Sequence, residues 1–148
     1  MMFLSIASVV CLGLLAGVEF AVSAFVNPVL WKLEPKTQAG LVRSFARNLG
    51  AVMPFWYVGG LLLLVIECIL AWHTPGFSLL VVASGIWAAV IVLTLLFLVP
   101  ANNRLAKLEP GAWTEATRRE HRQWDARHRY RIAALVAALV CVVLAVRV

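Results

Sequence analysis

Apolar residues along the chain gather into four runs, residues 3–29, 54–72, 77–99 and 132–146, which are separated by more polar stretches, and the fourth predicted span covers residues 130–147. About 20 helical residues cross the hydrocarbon core of a membrane, so the first three runs are long enough to span it. The fourth run spans the membrane only if its helix begins in the polar stretch before Arg131. Alternation with a period of two is absent, which disfavours transmembrane strands. The pattern predicts an all-α, integral membrane four-helix bundle that forms one domain over residues 1–148.

The composition supports a membrane protein and argues against a soluble one. Hydrophobic residues make up 63% of the chain and charged residues only 14%, and the mean hydropathy is +0.92. A soluble domain of this length could not bury so much apolar surface, so lipid must be the solvent for most side chains. Membrane lipids are therefore predicted partners.

The basic residues indicate how the chain crosses the membrane. Twelve of the thirteen lysines and arginines lie after the first run or between the third and fourth runs, and Arg147 is the exception. By the positive-inside rule these segments face the cytoplasm, which predicts an inner (cytoplasmic) membrane protein of a bacterium with both termini outside. Orientation and contact with anionic headgroups account for the net charge of +6, so no nucleic-acid partner is expected.

The segment of residues 27–35 recurs in residues 102–110. Six of the nine positions are identical at an offset of 75 residues, close to half of the 148 residues. Each copy follows an apolar run and precedes basic residues. A period this long, with two apolar runs in each unit, indicates two duplicated helical hairpins. This internal repeat would bring the polar ends of both halves to one membrane face.

The polar stretch that leads into the fourth run carries an unusual helical face. His121, Trp124, His128 and Arg131 follow a spacing of three, four and three residues, which places them on one side of a helix. Two imidazoles, an indole and a guanidinium that face a bundle interior need partners there, which is typical of a functional site. The alternative is an interfacial helix whose tryptophan and arginine only anchor it among the headgroups.

Two acidic residues lie inside predicted spans. Glu19 lies near the middle of the membrane by residue count, and Glu67 lies toward the outer leaflet. An ionised carboxylate there costs several kcal/mol unless it is paired, so each acid is either protonated or partnered. A structural hydrogen bond between helices and a role in a site or a proton path both remain open. By position, Glu67 is not expected to share a site with His128.

Asparagines mark the ends of the first and third runs. Asn27 ends the first run, and Asn102 and Asn103 follow the proline that ends the third. Their amides either cap backbone groups freed by the helix end or offer a donor and an acceptor to a ligand. Beside the face that holds His128, they would form a small polar pocket on the cytoplasmic side. Three tryptophans would cap this pocket: Trp31, Trp56 and Trp124.

These residues carry a family resemblance. An Asn-Pro end to the first span, a Pro-x-Asn end to the third, and the series from Trp124 through His128 to Arg131 resemble the anthrone-oxygenase-like family. That family comprises small four-span membrane proteins, largely of unknown function, and the resemblance covers nearly the whole chain. Members in aromatic polyketide pathways oxidise anthrones to anthraquinones with dioxygen and no known cofactor. The resemblance implies a cofactor-independent oxygenase without a metal, acting on an anthrone-type or other small hydrophobic substrate.

Under this resemblance each residue of the polar pocket has a chemical role. An anthrone is a carbon acid, and the imidazole of His128, a side chain type with an ordinary pKa of about 6.5, would remove its proton. Arg131, with Asn103 or Asn27 as hydrogen-bond donors, would stabilise the resulting oxygen anion. Trp124 and Trp31 would stack on a flat aromatic substrate. The other predicted substrate contacts are Trp56, Asn102 and His121.

A non-enzymatic function is the alternative. Duplicated hairpins with intramembrane acids also occur in transporters, and the same pocket would suit a protein that binds a small molecule or a lipid. A dominant requirement for Glu19 and Glu67, with His128 dispensable, would favour that class. Haem binding is disfavoured because His121 and His128 lie on one helix and His73 lies at the opposite membrane side. Small residues along the first run pack internally or pair two protomers, so a homo-oligomer also stays open.

Overall fold

The computed structural model describes residues 2–109 and 113–147. Its four long helices are α1 (Met2–Leu30), α2 (Pro35–Leu70), α3 (Phe77–Leu105) and α4 (Glu115–Ala145). Each is long and apolar enough to cross a membrane, and no β-strand occurs in these two ranges. Consecutive helices pack against each other, and α4 also packs against α1, which closes the bundle. The predicted all-α four-helix membrane fold is confirmed.

The helices extend beyond the predicted spans on the side that carries the basic residues. One continuous helix, α2, joins an amphipathic basic segment to the apolar run that begins at Pro54. Pro54 has no N–H group, so it donates no helical hydrogen bond to the carbonyl of Gly50. The polar stretch before Arg131 is likewise helical and continuous with the fourth apolar run. Thr114 caps this helix, since its hydroxyl oxygen accepts a hydrogen bond from the N–H of Thr117 at 3.3 Å.

Both α1 and α3 contain one turn of π-helix just before a proline. The π turns cover Val22–Val26 and Thr94–Leu98, and they precede Pro28 and Pro100. A proline ring inside a helix clashes with the carbonyl group four residues earlier, and a wider turn relieves that clash. In both helices the residue before the proline donates its N–H to the carbonyl oxygen five residues back. Both turns contribute side chains to the cavity between the four helices.

The main apolar core fills the half of the bundle away from the basic residues. Trp87 is fully buried in it and donates its indole N–H to the carbonyl oxygen of Tyr57 at 3.0 Å. Gly60 permits this packing, because a Cβ atom there would lie 2.7 Å from the Trp87 ring. Trp56 also packs against this core and donates its indole N–H to the carbonyl oxygen of Cys11 at 3.1 Å.

A second apolar cluster forms where α1 and α3 end. Leu30 and Leu105, the last residues of the two helices, are both buried in it. After each of them the chain makes the same turn: Leu33 donates to Leu30, and Leu108 donates to Leu105, both at 3.2 Å. These ends match at the offset of 75 residues, whereas the π turns and their prolines match at an offset of 72. The internal repeat therefore stays a prediction, and Pro110, its last position, lies outside the described residues.

Candidate active site

A cavity of about 450 Å³ lies between the helices in the half of the bundle that carries the basic residues. All four helices contribute to its lining, and most of the lining side chains are apolar. A volume of a few hundred Å³ with a small number of polar groups is typical of a site for a small molecule. The positive-inside prediction assigns this half of the bundle to the cytoplasmic side.

The carboxylate of Glu19, on α1, is the centre of the polar network in this cavity. Only 3% of Glu19 is exposed, so its charge needs partners close by. The hydroxyl of Tyr57, on α2, donates to Oε1 at 2.8 Å, and Nη2 of Arg131, on α4, donates to Oε2 at 2.6 Å. The guanidinium of Arg131 also lies over the Tyr57 ring at 5.5 Å from its centroid. One buried acid thus links three helices.

His128 is fully buried, and each of its ring nitrogens has a defined partner. Nε2 lies 3.0 Å from the backbone carbonyl oxygen of Glu19. A carbonyl oxygen only accepts hydrogen bonds, so Nε2 carries a proton and Nδ1 has a free lone pair in the neutral ring. Nη2 of Arg131 lies 2.8 Å from Nδ1 and donates to it in that state. Oε2 of Glu19 lies 3.2 Å from Nδ1 and accepts from it when the ring is protonated.

Arg131 retains donors that the network does not use. Nη2 serves both Glu19 and His128, while Nη1 has only a long contact of 3.5 Å with the hydroxyl of Thr94. Nε is buried without a hydrogen-bond partner in the described part of the chain. Since a guanidinium carries five N–H groups in a fixed plane, Arg131 can hold Glu19 and still donate to an oxygen atom in the cavity.

Aromatic rings form a column that runs along α4 into the cavity. Trp124 stacks on His128 with ring centroids 4.7 Å apart and an interplanar angle of 14°. His121 lies 6.0 Å from Trp124 on the next turn, and Trp31 contacts the other side of His121 at 4.7 Å. The column holds the His128 ring in one orientation and gives the cavity a flat aromatic wall.

Asp125 forms a second polar centre behind this column. Its Oδ1 atom accepts from the amide of Asn27 at 2.5 Å and from the hydroxyl of Ser23 at 3.2 Å. Its Oδ2 atom accepts from Arg129 at 2.8 Å, one helical turn further along α4. One N–H group of the Asn27 amide therefore binds Asp125 and joins α1 to α4. An amide nitrogen carries two N–H groups, so Asn27, which lines the cavity, keeps a second donor, and its contact with a substrate oxygen stays a prediction.

The two asparagines at the end of α3 differ in their surroundings. Asn102 donates to the carbonyl oxygen of Ala46 on α2 at 2.9 Å, next to Gly50. A Cβ atom at Gly50 would lie only 2.8 Å from Nδ2 of Asn102, so the glycine permits this contact. Asn103 lines the cavity and is exposed, which leaves its amide at the rim.

The structure brings most of the sequence-predicted residues together. Eight of them line the cavity: Glu19, Asn27, Asn102, Asn103, His121, Trp124, His128 and Arg131. Three lie elsewhere. Trp31 supports His121 from outside and faces an adjacent groove rich in arginines, and Trp56 packs against the apolar core. Glu67 is buried outside the lining, and neither carboxylate oxygen has a hydrogen-bond partner among the described residues.

The sequence interpretation missed Tyr57 and Thr94, which line the cavity and contact the ionic network. A tyrosine within an apolar run is a weak signal, since it is equally consistent with an interfacial or core position. Within residues 2–109 and 113–147, no group of three His, Cys, Asp or Glu side chains is placed to hold a metal ion.

Comparison with known proteins supports the resemblance found in the sequence. The family model described as anthrone oxygenase matches residues 2–141, which is nearly the whole chain. No curated protein and no solved structure matches the chain. The match includes the ends of α1 and α3 and the face of α4 that line the cavity. The chain therefore belongs to the anthrone oxygenase family.

Proposed function

We propose that this protein is a membrane-embedded oxygenase that oxidises an anthrone-type or similar aromatic substrate with dioxygen in the cytoplasmic half of the inner membrane. The observation that carries the proposal is the contact among Glu19, His128 and Arg131 at the wall of an apolar cavity, in a chain of the anthrone oxygenase family. A base, a carboxylate and a guanidinium in one mostly apolar cavity suit the ionisation of a carbon acid.

The first step is removal of a C–H proton from the substrate. The Glu19–His128 pair accepts it, because a proton at Nδ1 of His128 faces the Glu19 carboxylate at 3.2 Å. The electron pair of the broken bond moves to the carbon atom and its conjugated oxygen, which becomes an anion. The unused N–H groups of Arg131 stabilise that anion. For Nδ1 of His128 to take the proton, Nη2 of Arg131 gives up its hydrogen bond to Nδ1 and keeps the one to Glu19.

Dioxygen then accepts electrons from the anion and forms a carbon–oxygen bond, which leaves a peroxide that takes up one proton. Loss of the second C–H proton and cleavage of the O–O bond release water and form the carbonyl group. The overall reaction converts one anthrone and one dioxygen molecule into one anthraquinone and one water molecule. The wall formed by Trp124 orients the flat ring system against His128.

Turnover of a simple anthrone by the purified protein, with and without dioxygen, tests this function. We expect oxygen-dependent quinone formation that falls by about 10²–10⁴-fold in His128→Ala, the typical contribution of a general base. His73→Asn is the matched control, because His73 is exposed, lies outside the cavity and has a positive φ of 76° that asparagine tolerates. Circular dichroism and size-exclusion chromatography establish that each variant is folded.

Three outcomes would contradict the proposal. A fully active His128→Ala variant would exclude the proposed base. Loss of turnover after treatment with a chelator would make the reaction metal-dependent. Turnover no faster than spontaneous oxidation would favour the alternative of a protein that binds or transports a small molecule. Because Glu19 contacts His128, a requirement for Glu19 no longer separates the two classes, whereas a requirement for Glu67 does.

A further inference from the structure

The cavity lining is exposed on one side only. Every lining residue from α1 and α4 is buried or half-buried. The exposed lining residues come from α2 and α3, and they are Phe45, Arg47, Gly50, Pro54, Val58, Leu95 and Asn103. The cavity therefore opens through the gap between these two helices.

Hydrogen bonds between α2 and α3 close this gap at both of its ends. At the basic end, Asn102 donates to the Ala46 carbonyl at 2.9 Å and Arg47 donates to the Ala106 carbonyl at 3.0 Å. Toward the core, Trp87 donates to the backbone of Tyr57. The stretch of α2 between these ties, residues 48–56, is about 12 Å long at 1.5 Å per residue.

Each side of the gap contains a proline, and the α3 side also contains a π turn. Pro54 lies on the α2 side, and the π turn at Thr94–Leu98 followed by Pro100 lies on the α3 side. Prolines and π turns are the usual causes of helix bends, and here both lie at the level of the gap. Gly50, one turn before Pro54, presents no side chain to the opening.

The side chains at the rim of the gap change from apolar to polar along the membrane normal. Val58 and Leu95 are more than half exposed and face outward at the upper part of the gap, which is the end nearer the apolar core. Arg47 and Asn103 provide polar groups at the lower part, near the helix ends. In a membrane-spanning bundle the upper part therefore meets hydrocarbon and the lower part meets the headgroup region.

We propose that this gap is a lateral portal through which the substrate enters the cavity directly from the lipid bilayer. The substrate class that fits is a flat, largely apolar aromatic compound with an oxygen at one end, which dissolves in the bilayer and is sparingly soluble in water. The apolar rim passes the ring system, and Arg131 receives the oxygen inside. The identity of the substrate rests on the proposed function, whereas the route does not.

Thiol labelling in lipid vesicles tests the route without any substrate. Met53→Cys places one thiol on the half-buried cavity lining, in a chain whose Cys11, Cys68 and Cys141 are replaced by alanine. We expect membrane-soluble N-phenylmaleimide to label this thiol and a charged methanethiosulfonate to label it at least tenfold more slowly. Faster labelling by the charged reagent would show access from water and overturn the proposal.

Bulky substitutions at the rim test whether the maleimide enters between α2 and α3. Val58→Trp with Leu95→Trp fills the gap, and we expect it to slow labelling by N-phenylmaleimide at least tenfold. The matched control is Ile69→Trp with Val82→Trp, which adds the same bulk at lipid-exposed positions of the same two helices outside the cavity lining. Equal labelling rates in the two double variants would show that the maleimide does not pass between α2 and α3.

Turnover separates a failure of the portal from a failure of the proposed reaction. If the portal is correct and the reaction is correct, the rim variant loses anthrone turnover together with labelling. If the wild type fails to oxidise an anthrone but the labelling pattern holds, the portal stands and the reaction falls. If the wild type is active and the rim variant keeps both full turnover and fast labelling, the reaction stands and the portal falls.

Discussion

Glu19 contacts both ring nitrogens of His128: its backbone carbonyl oxygen lies 3.0 Å from Nε2, and Oε2 of its carboxylate lies 3.2 Å from Nδ1. One residue of α1 therefore determines the tautomer of a ring on α4 and also offers a counter-ion to its protonated form. Such an arrangement requires the two helices to keep one relative rotation. The π turn of α1 begins three residues after Glu19, next to this contact.

The buried pair of Glu19 and Arg131 should dominate the stability of this half of the bundle. Glu19→Ala leaves the Arg131 charge and the Tyr57 hydroxyl without their acceptor, so we expect a loss of about 3–5 kcal/mol in the free energy of unfolding. Adding Arg131→Ala to Glu19→Ala should lower the free energy of unfolding much less than Arg131→Ala lowers it alone, because the double variant contains no uncompensated charge. Denaturant unfolding in detergent measures both variants. Glu34→Ala is the control at an exposed position and should change stability by less than about 0.5 kcal/mol. Strictly additive losses in the double variant would contradict the coupling between Glu19 and Arg131.

Asp125 should stabilise the bundle through Asn27 and hardly at all through Arg129. Asp125→Ala leaves the buried Asn27 amide without an acceptor, and we expect a loss of about 1–3 kcal/mol. Asp125→Asn keeps an acceptor oxygen at the same place and should lose less than about 1 kcal/mol. Arg129→Ala should also lower the free energy of unfolding by less than about 1 kcal/mol, because the Arg129 side chain is 65% exposed and its ion pair is screened by solvent. Thermal unfolding of the three variants gives the order, and an Arg129→Ala loss equal to that of Asp125→Ala would show that the ion pair matters more than the amide.

A glycine at position 50 should be required for stability, because Asn102 lies against it and donates to the carbonyl oxygen of Ala46 one turn earlier. Gly40 lies on the same helix, and no described atom outside its own helical turn lies within 4 Å of the place a Cβ would take. Gly40→Ala should therefore gain up to about 1 kcal/mol from helix propensity. Gly50→Ala adds the same methyl group 2.8 Å from the Asn102 amide. We expect it to be less stable than Gly40→Ala by about 1–2 kcal/mol, the value of a lost hydrogen bond with some strain. Thermal unfolding measures the difference, which should disappear in an Asn102→Ala background; a difference that persists there would assign the effect to another neighbour.

The set of side chains on one face of α4 was predictable, because helical spacing alone decides which residues share a face. Residues three and four positions apart share one side of a helix whatever the rest of the fold does, and the four residues from His121 to Arg131 do line the cavity. The four long helices followed from apolar length in the same way. Both predictions depend only on local geometry.

The partners of these residues were not predictable, because they depend on how the helices rotate against each other. Glu19 was recognised as costly, but its contact with Tyr57 requires the antiparallel register of α1 and α2. The directions of Trp31 and Trp56 likewise follow from packing: one ring supports His121 and the other fills the core. The helix ends match at an offset of 75 residues and the π turns at an offset of 72, so the structure does not decide the predicted internal repeat.

Trp124 should contribute to substrate binding more than to the chemical step. Its ring stacks on His128 and lines the cavity, so a flat substrate that reaches the base also contacts this indole. Trp124→Leu should raise the KM for an anthrone by up to about tenfold, since an aromatic pair contributes about 0.5–1.5 kcal/mol beyond its buried area. A smaller fall in kcat should accompany it, because the His128 ring loses its support. Trp72→Leu is the matched control, since Trp72 packs on Phe77 at the other end of the bundle. If Trp124→Leu lowers kcat about a hundredfold at an unchanged KM, the indole positions the base rather than the substrate.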